Sequence, residues 1–339
     1  MVRLGALLLI LAATPAAAPT CNIPVFRYAL ERWPAAPYDV IAFHRGPLTE
    51  AEGAALNALR QAGANLELDR IDLSEPMSPK RQNLVVKLKV QGPCLVALYP
   101  GSETAAWTGP LTADAAKALT ESPARREVSK RLLEGESGVW LLLDSGDAAK
   151  DAAAVATLDK ELRALEQSLK LPAHAADDPP LLSDLPVKVS FSVFRVKRTD
   201  PAEAAFVSML MNSDTGLNGP VVFPIFGRGR ALWAMAGDGL NARYIHEAGT
   251  FLTGACSCEA KEFNPGVDLL FAADWETGLA AAPERERIPD PILKPRPSEP
   301  EPAAPVAAGS SAFLWGALLV AALFVALTGR KVLSSRGGR

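Results

Sequence analysis

The same succession of apolar runs, turns and helix starts occurs twice, about 100 residues apart. A duplicated unit restricts the fold more than any single motif does. The first copy opens with Tyr38 to Phe43 (YDVIAF), which reads as a strand. A helix follows from Leu48, where Thr49 and Glu52 form a capping box and Leu48, Ala55, Leu56, Leu59 and Ala62 mark one face. Leu66 to Leu73 is a second strand, Ser78-Pro79 starts a second helix, and Gly92-Pro93 leads into a third strand, Cys94 to Tyr99. Trp107 ends a short neighbouring strand, and a helix runs from Leu111 to about Glu134.

The second copy keeps that order. Val139 to Leu143 is the strand, and Val155, Leu158, Leu162, Leu165 and Leu169 form a helical stripe. A strand spans Val187 to Val196, and Asp200-Pro201 with Glu203 opens the next helix with a capping box. Gly219-Pro220 precedes the strand Val221 to Phe226, Trp233 lies on the next strand, and Gly239-Leu240 leads into the last helix. A smaller break, Pro172 to Pro186, centres on Asp177-Asp178-Pro179-Pro180.

The two ends of the chain speak to its address. Residues 1–20 read as a secretory signal: Arg3, then the short apolar run Leu4 to Ala13, then small residues broken by Pro. Cys21 stands where a lipoprotein would carry its acylated thiol, although Ala18-Pro19-Thr20 is a poor lipobox. Residues 280–311 form a Pro-rich linker, extended because Pro fixes φ and removes donors. Ala312 to Thr328 carries no charge and reads as a transmembrane helix over 312–329. The tail 330–339 holds Arg330, Lys331, Arg336 and Arg339 without an acid, which places it on the cytoplasmic side and the bulk of the chain outside. Pro300-Glu301-Pro302 ahead of this span resembles a bacterial sorting tail, though nine residues intervene where that family usually has none. A net charge of −3 argues against a dedicated nucleic-acid binder, which would need a basic face to neutralise phosphates.

The order β-α-β-α-β-β-α with a Gly-Pro before the third strand resembles the thioredoxin-like fold. The expected class is therefore α/β: one thioredoxin-like domain over 21–135 with a leading helix, a second over 136–279, and a C-terminal transmembrane helix. In that family the Pro before the third strand is cis and lies beside the active site, and Pro93 and Pro220 match that position. The leading helix VFRYALERW, with HRGPL and NPGVDLLFAADW, makes the whole look like an uncharacterised family of exported, membrane-anchored bacterial proteins. That likeness implies an architecture and no activity.

Thioredoxins act through a C-x-x-C at the start of the first helix, where the helix terminus favours thiolate. The matching positions read His44-Arg45-Gly46-Pro47 and Asp144-Ser145-Gly146-Asp147, without cysteine. His44 beside Arg45 could hold an anion at the helix start, but a solvated glycine turn accounts for the pair more simply. The four cysteines are Cys21, Cys94, Cys256 and Cys258. A Cys21–Cys94 disulfide would staple the leading helix to the first domain. Cys256 and Cys258, two apart, could chelate a soft metal with His246 as third ligand, yet no second pair completes a tetrahedral site. Asp268, Asp274 and Glu276 read as a solvated acidic face. No G-x-S-x-G, H-E-x-x-H or P-loop occurs, and no cofactor is expected. The sequence thus points to a non-catalytic binding or assembly module of the cell envelope, with other envelope or membrane proteins as partners. The competing reading is a thiol–disulfide or copper handler working through the C-x-C pair.

Overall fold

Tyr38–His44 (β1) is buried along almost its whole length because it lies between two neighbours in a mixed sheet. Leu66–Asp72 (β2) runs parallel to it, joined through the helix Glu50–Gln61 (α2). Cys94–Leu98 (β3) runs antiparallel on the other side, after the helix Pro79–Lys87 (α3), and Ala105–Gly109 (β4) closes the order β2-β1-β3-β4. The structure, a computed structural model, describes residues 21–280 apart from 177, 212–216 and 257–259, all within one compact unit. The signal segment 1–20, nearly all of the linker, the apolar segment 312–329 and the tail 330–339 lie outside the described residues. Among the described residues no helix is long and apolar enough to cross a membrane.

The second sheet repeats the first. Gly138–Asp144 (β5) has Phe191–Lys197 (β6) parallel on one side and Val221–Phe226 (β7) antiparallel on the other. The helix Ala148–Ser168 (α6) joins β5 to β6, and Ala204–Met211 (α7) lies between β6 and β7. The fourth strand is broken into Arg230–Ala231 (β8) and Met235–Ala236 (β9), and Val267–Asp268 (β10) adds an edge beside β8. Pro224 sits in the middle of β7 and has no N–H to offer the ladder. Only its carbonyl is used, accepting from Leu232 N at 2.9 Å, and the partner strand lapses between β8 and β9. Trp233 therefore lies in a gap of the strand expected to contain it. The molecule is a mixed α/β fold with two sheets, consistent with thioredoxin-like domains.

The helix starts follow their capping chemistry. Thr49 and Glu52 form the expected box, and Ser78 caps α3 with Pro79 at its first position. The long helix expected to run from Leu111 is two helices, Ala113–Thr120 (α4) and Pro123–Leu133 (α5), because Ser122-Pro123 is a second cap-plus-proline start. Asp200 caps a 3₁₀ turn at Pro201–Glu203, but Glu203 does not complete a box. Its Oε1 accepts from Ala124 N at 2.6 Å, at the start of α5. The second strand of the later copy begins at Phe191, not Val187.

The leading helix Val25–Arg32 (α1) packs against the second sheet. Ile23, Val25, Phe26 and Ala29 share a core with Trp140, Leu142 and the helix Ala242–Thr253 (α8). Backbone bonds from Val25 N to Gly254 O and from Cys256 N to Ile23 O, 3.0 and 2.9 Å, tie the two ends of the second core together. No peptide bond among the described residues is cis, so the bonds before Pro93 and Pro220 are trans, against expectation. Each proline stands one residue ahead of its strand, where the missing N–H breaks no ladder bond in either isomer.

The copies are joined through Asp268, which is 5% exposed. Its carboxylate takes Arg230 at 3.0 Å, Lys261 at 2.7 Å and the amide of Ala36 at 2.9 Å, and its carbonyl accepts from the Tyr38 hydroxyl at 3.0 Å. The solvated acidic face expected at 268–276 is thus incorrect for Asp268. Its carboxylate is covered because three donors from three segments converge on it. Asp274 instead accepts from Thr277 N at the start of the helix Trp275–Ala280 (α9), and Glu276 meets Arg228 near the surface. Removing one partner of a buried ion cluster leaves the others uncompensated. Asp268→Ala should lower unfolding free energy by about 3–5 kcal/mol, read from urea denaturation.

Candidate functional site

The two strand-to-helix corners are where a thioredoxin-type dithiol would stand. Both turn on a glycine with positive φ, Gly46 at 63° and Gly146 at 90°. Neither glycine has a neighbour within 4 Å of where a Cβ would stand, so the backbone conformation alone calls for glycine. In the first corner Gly46 N donates to Asp72 Oδ1 at 3.0 Å and to Ser74 Oγ at 3.1 Å. The same Asp72 oxygen accepts the Ser74 amide at 2.8 Å and hydroxyl at 2.6 Å. His44 points its Nδ1 at the Gly46 carbonyl, 2.9 Å away, with Asp72 Oδ2 at 3.9 Å. The Ser74 hydroxyl and amide, then the Gly46 amide, hold the Asp72 carboxyl down at about 2.

The second corner reaches the same end from another element. Asp151, in the first turn of α6, accepts Ser145 N at 2.8 Å, Ser145 Oγ at 2.7 Å and Gly146 N at 3.1 Å. Burial works to raise its pKa, but the Ser145 and Gly146 donors outweigh it and the carboxyl titrates below its ordinary value. Asp144, at the end of β5, binds Arg195 through two hydrogen bonds of 3.1 and 3.0 Å. In each corner the amide of the turning glycine is taken by the protein's own carboxylate. The Gly46 amide is therefore not open to an anion held between His44 and Arg45.

The cysteines are spread apart. Cys94 is a free thiol at the start of β3, paired in register with Phe43 and packed on the core of the first sheet's α3 side. Burial raises its pKa, which disfavours the thiolate. Cys21 lies in the other repeat's core beside α1 and α8, so the expected Cys21–Cys94 bond is not formed. The physical reason is the leading helix, which carries Cys21 to the second sheet. Cys256 is 1% exposed in that same core. Cys258 lies outside the described residues. His246, on α8, places Nε2 3.0 Å from Glu161 Oε2 of α6. Among the described residues no three His, Cys, Asp or Glu side chains gather as a metal site would require.

Sequence reasoning missed two hollows flanking the broken strand at Trp233-Ala234. One, of about 350 Å³, is lined by Tyr99, Met209, Leu210, Phe223 and Leu269, and lies between the copies. The other, of about 340 Å³, is bounded by Trp233, Met235, Tyr244 and Glu247. Pro224 within an otherwise unbroken apolar strand was the available signal, since a central strand tolerates proline only at an irregularity. Arg125 is a further unforeseen feature: wholly buried, it lies 4.5 Å over the Phe206 ring, and desolvation lowers it to about 10.

No known protein family matches the chain, and no curated protein does. Among solved structures it is similar to one described as the crystal structure of ERdj5 form II, at 10% identity and a TM-score of 0.21. That match takes in 66% of this chain and spans 28% of the other. So slight a likeness carries no argument, and the fold rests on strand order and register.

The Asp72 carboxyl should titrate near 2 when followed by NMR, against an ordinary 3.8. A depressed folded-state pKa means its contribution to stability is whole above the ordinary value and lost as pH falls through about 2. Ser74→Ala should move that midpoint upward.

Proposed function

We propose that the chain is a tandem thioredoxin-like module without the catalytic dithiol, serving as a binding or assembly element of the cell envelope. It is held by a single C-terminal span, with residues 21–280 outside the cytoplasm and the basic tail inside. Its partners are other envelope or membrane proteins. The reading is carried by one observation: each strand-to-helix corner is closed by a carboxylate on glycine and serine amides, Asp72 in one and Asp151 in the other. A thiol enzyme needs that place for an exposed, low-pKa sulfur. Cys94, the cysteine nearest the first corner among the described residues, has its pKa pushed the opposite way.

The purified full chain should not reduce insulin or reoxidise a dithiol peptide above the buffer rate. Turnover abolished by Cys94→Ser or Cys256→Ser would overturn the reading. For the anchoring, protease added to intact cells after outer-layer permeabilisation should digest the 21–280 region and spare an epitope placed after Arg339. Protection of both ends, or loss of both, would contradict the assigned orientation.

A further inference from the structure

Superposing the copies by register shows that a helix seat filled on the second sheet stands open on the first. The strands β1 and β5 each have seven residues and end two before the corner glycine. Asp39 thus corresponds to Val139 and Ile41 to Leu141. The parallel neighbours follow: Asp39 pairs with Glu67 and Ile41 with Asp69, while Val139 pairs with Ser192 and Leu141 with Phe194.

On the second sheet α5 occupies this face. Ala124, Val128 and Leu132 share a core with Val139 and Leu141. Arg131 donates from Nη1 to Ser192 Oγ at 3.0 Å, and its guanidinium lies 5.2 Å over the Phe194 ring. On the first sheet the same register positions line a cleft of about 480 Å³. The helix α3 borders it, with Leu84, Val85 and Leu88 half-buried against the same apolar floor and none of its residues fully buried, and α2 and α4 pack on the opposite face. The chain's own candidate, α1, precedes β1 as α5 precedes β5, but it is spent on the second sheet.

The open seat has an apolar floor and an acidic rim. Ile41 and Leu98 are buried at its base, whereas Asp39, Glu67 and Asp69 are exposed. Arg81 pairs with Asp69, and Glu103 of the same cleft pairs with Lys87. Lys80 also lines the cleft, but among the described residues Asp39 and Glu67 have no ion pair. We infer that this face is a docking seat for an amphipathic helix of a partner protein, apolar along one stripe and rich in Lys and Arg beside it. On α5 it is Arg131 that reaches over Ser192 and Phe194, the register positions that Glu67 and Asp69 take on the first sheet, so a cation of a docked helix meets acid there. The inference rests on the binding-module reading and names its site. The thiol assays test that reading separately, so a failed docking test leaves it standing.

The probe is a hydrocarbon-stapled, fluorescently labelled peptide of residues 122–134, titrated with the full chain in detergent and read by anisotropy. Saturable binding is expected, weakened at least about tenfold by Asp39→Lys with Glu67→Lys and by raised salt. Both substituted positions are exposed, so circular dichroism should stay unchanged. Absence of saturable binding, equal affinity for the double variant, or a self-association that the same variant abolishes would overturn the proposal.

Discussion

The buried carboxylate of Asp268 is the constraint on which the arrangement of the two copies depends. It gathers Arg230 and Lys261 from the second repeat and the Ala36 amide from the approach to β1, and its own carbonyl takes the Tyr38 hydroxyl. Asn65 continues the seam: its side chain donates to Ala36 O at 2.8 Å and accepts from Phe271 N at 2.8 Å. A carboxylate this enclosed is tolerable only with several donors in place. The segment 268–272 therefore fixes where the first sheet begins relative to the second. Met209 and Leu270 of the later copy complete the core beneath β1 as a result.

Once the sheets are joined this way, their helices need not be shared evenly. The second sheet is covered on both faces, by α1, α6 and α8 on one side and by α5, α7 and α9 on the other. The first has a full layer only where α2 and α4 lie. Duplication of the first two strands is residue-for-residue and the third is close to it, while the fourth strand and the helix layers are not duplicated. Three side chains express the difference: Asp39, Glu67 and Asp69 stand where Val139, Ser192 and Phe194 receive α5.

Local chemistry made much of this legible. Thr49 with Glu52, Ser78-Pro79 and the two Gly-Pro strand entries mark element boundaries through backbone donors and φ, and those boundaries lie where the sequence places them. Ser122-Pro123 carries the same signal as Ser78-Pro79, and it divides the single helix expected from Leu111 to about Glu134. What could not be read depends on partners far along the chain. The seat of α1, the burial of Asp268 and the diversion of Glu203 to Ala124 are all long-range. The empty corners were legible, since no cysteine occupies 44–47 or 144–147. That the vacancy is filled by Asp72 from a neighbouring strand in one copy and by Asp151 from the helix itself in the other was not, because two unrelated carboxylates satisfy the same glycine amide.

The position of α1 sets an order on the making of the molecule. Ribosomes deliver the N-terminal segment first, yet the surface that receives it, α8 and the strand-like stretch through Cys256, is among the last to be synthesised. The helix α1 meanwhile waits, its apolar face without a counterpart until some 200 further residues have followed. Anything that shields that short amphipathic helix in the interval acts on a segment that must wait for its receiving surface.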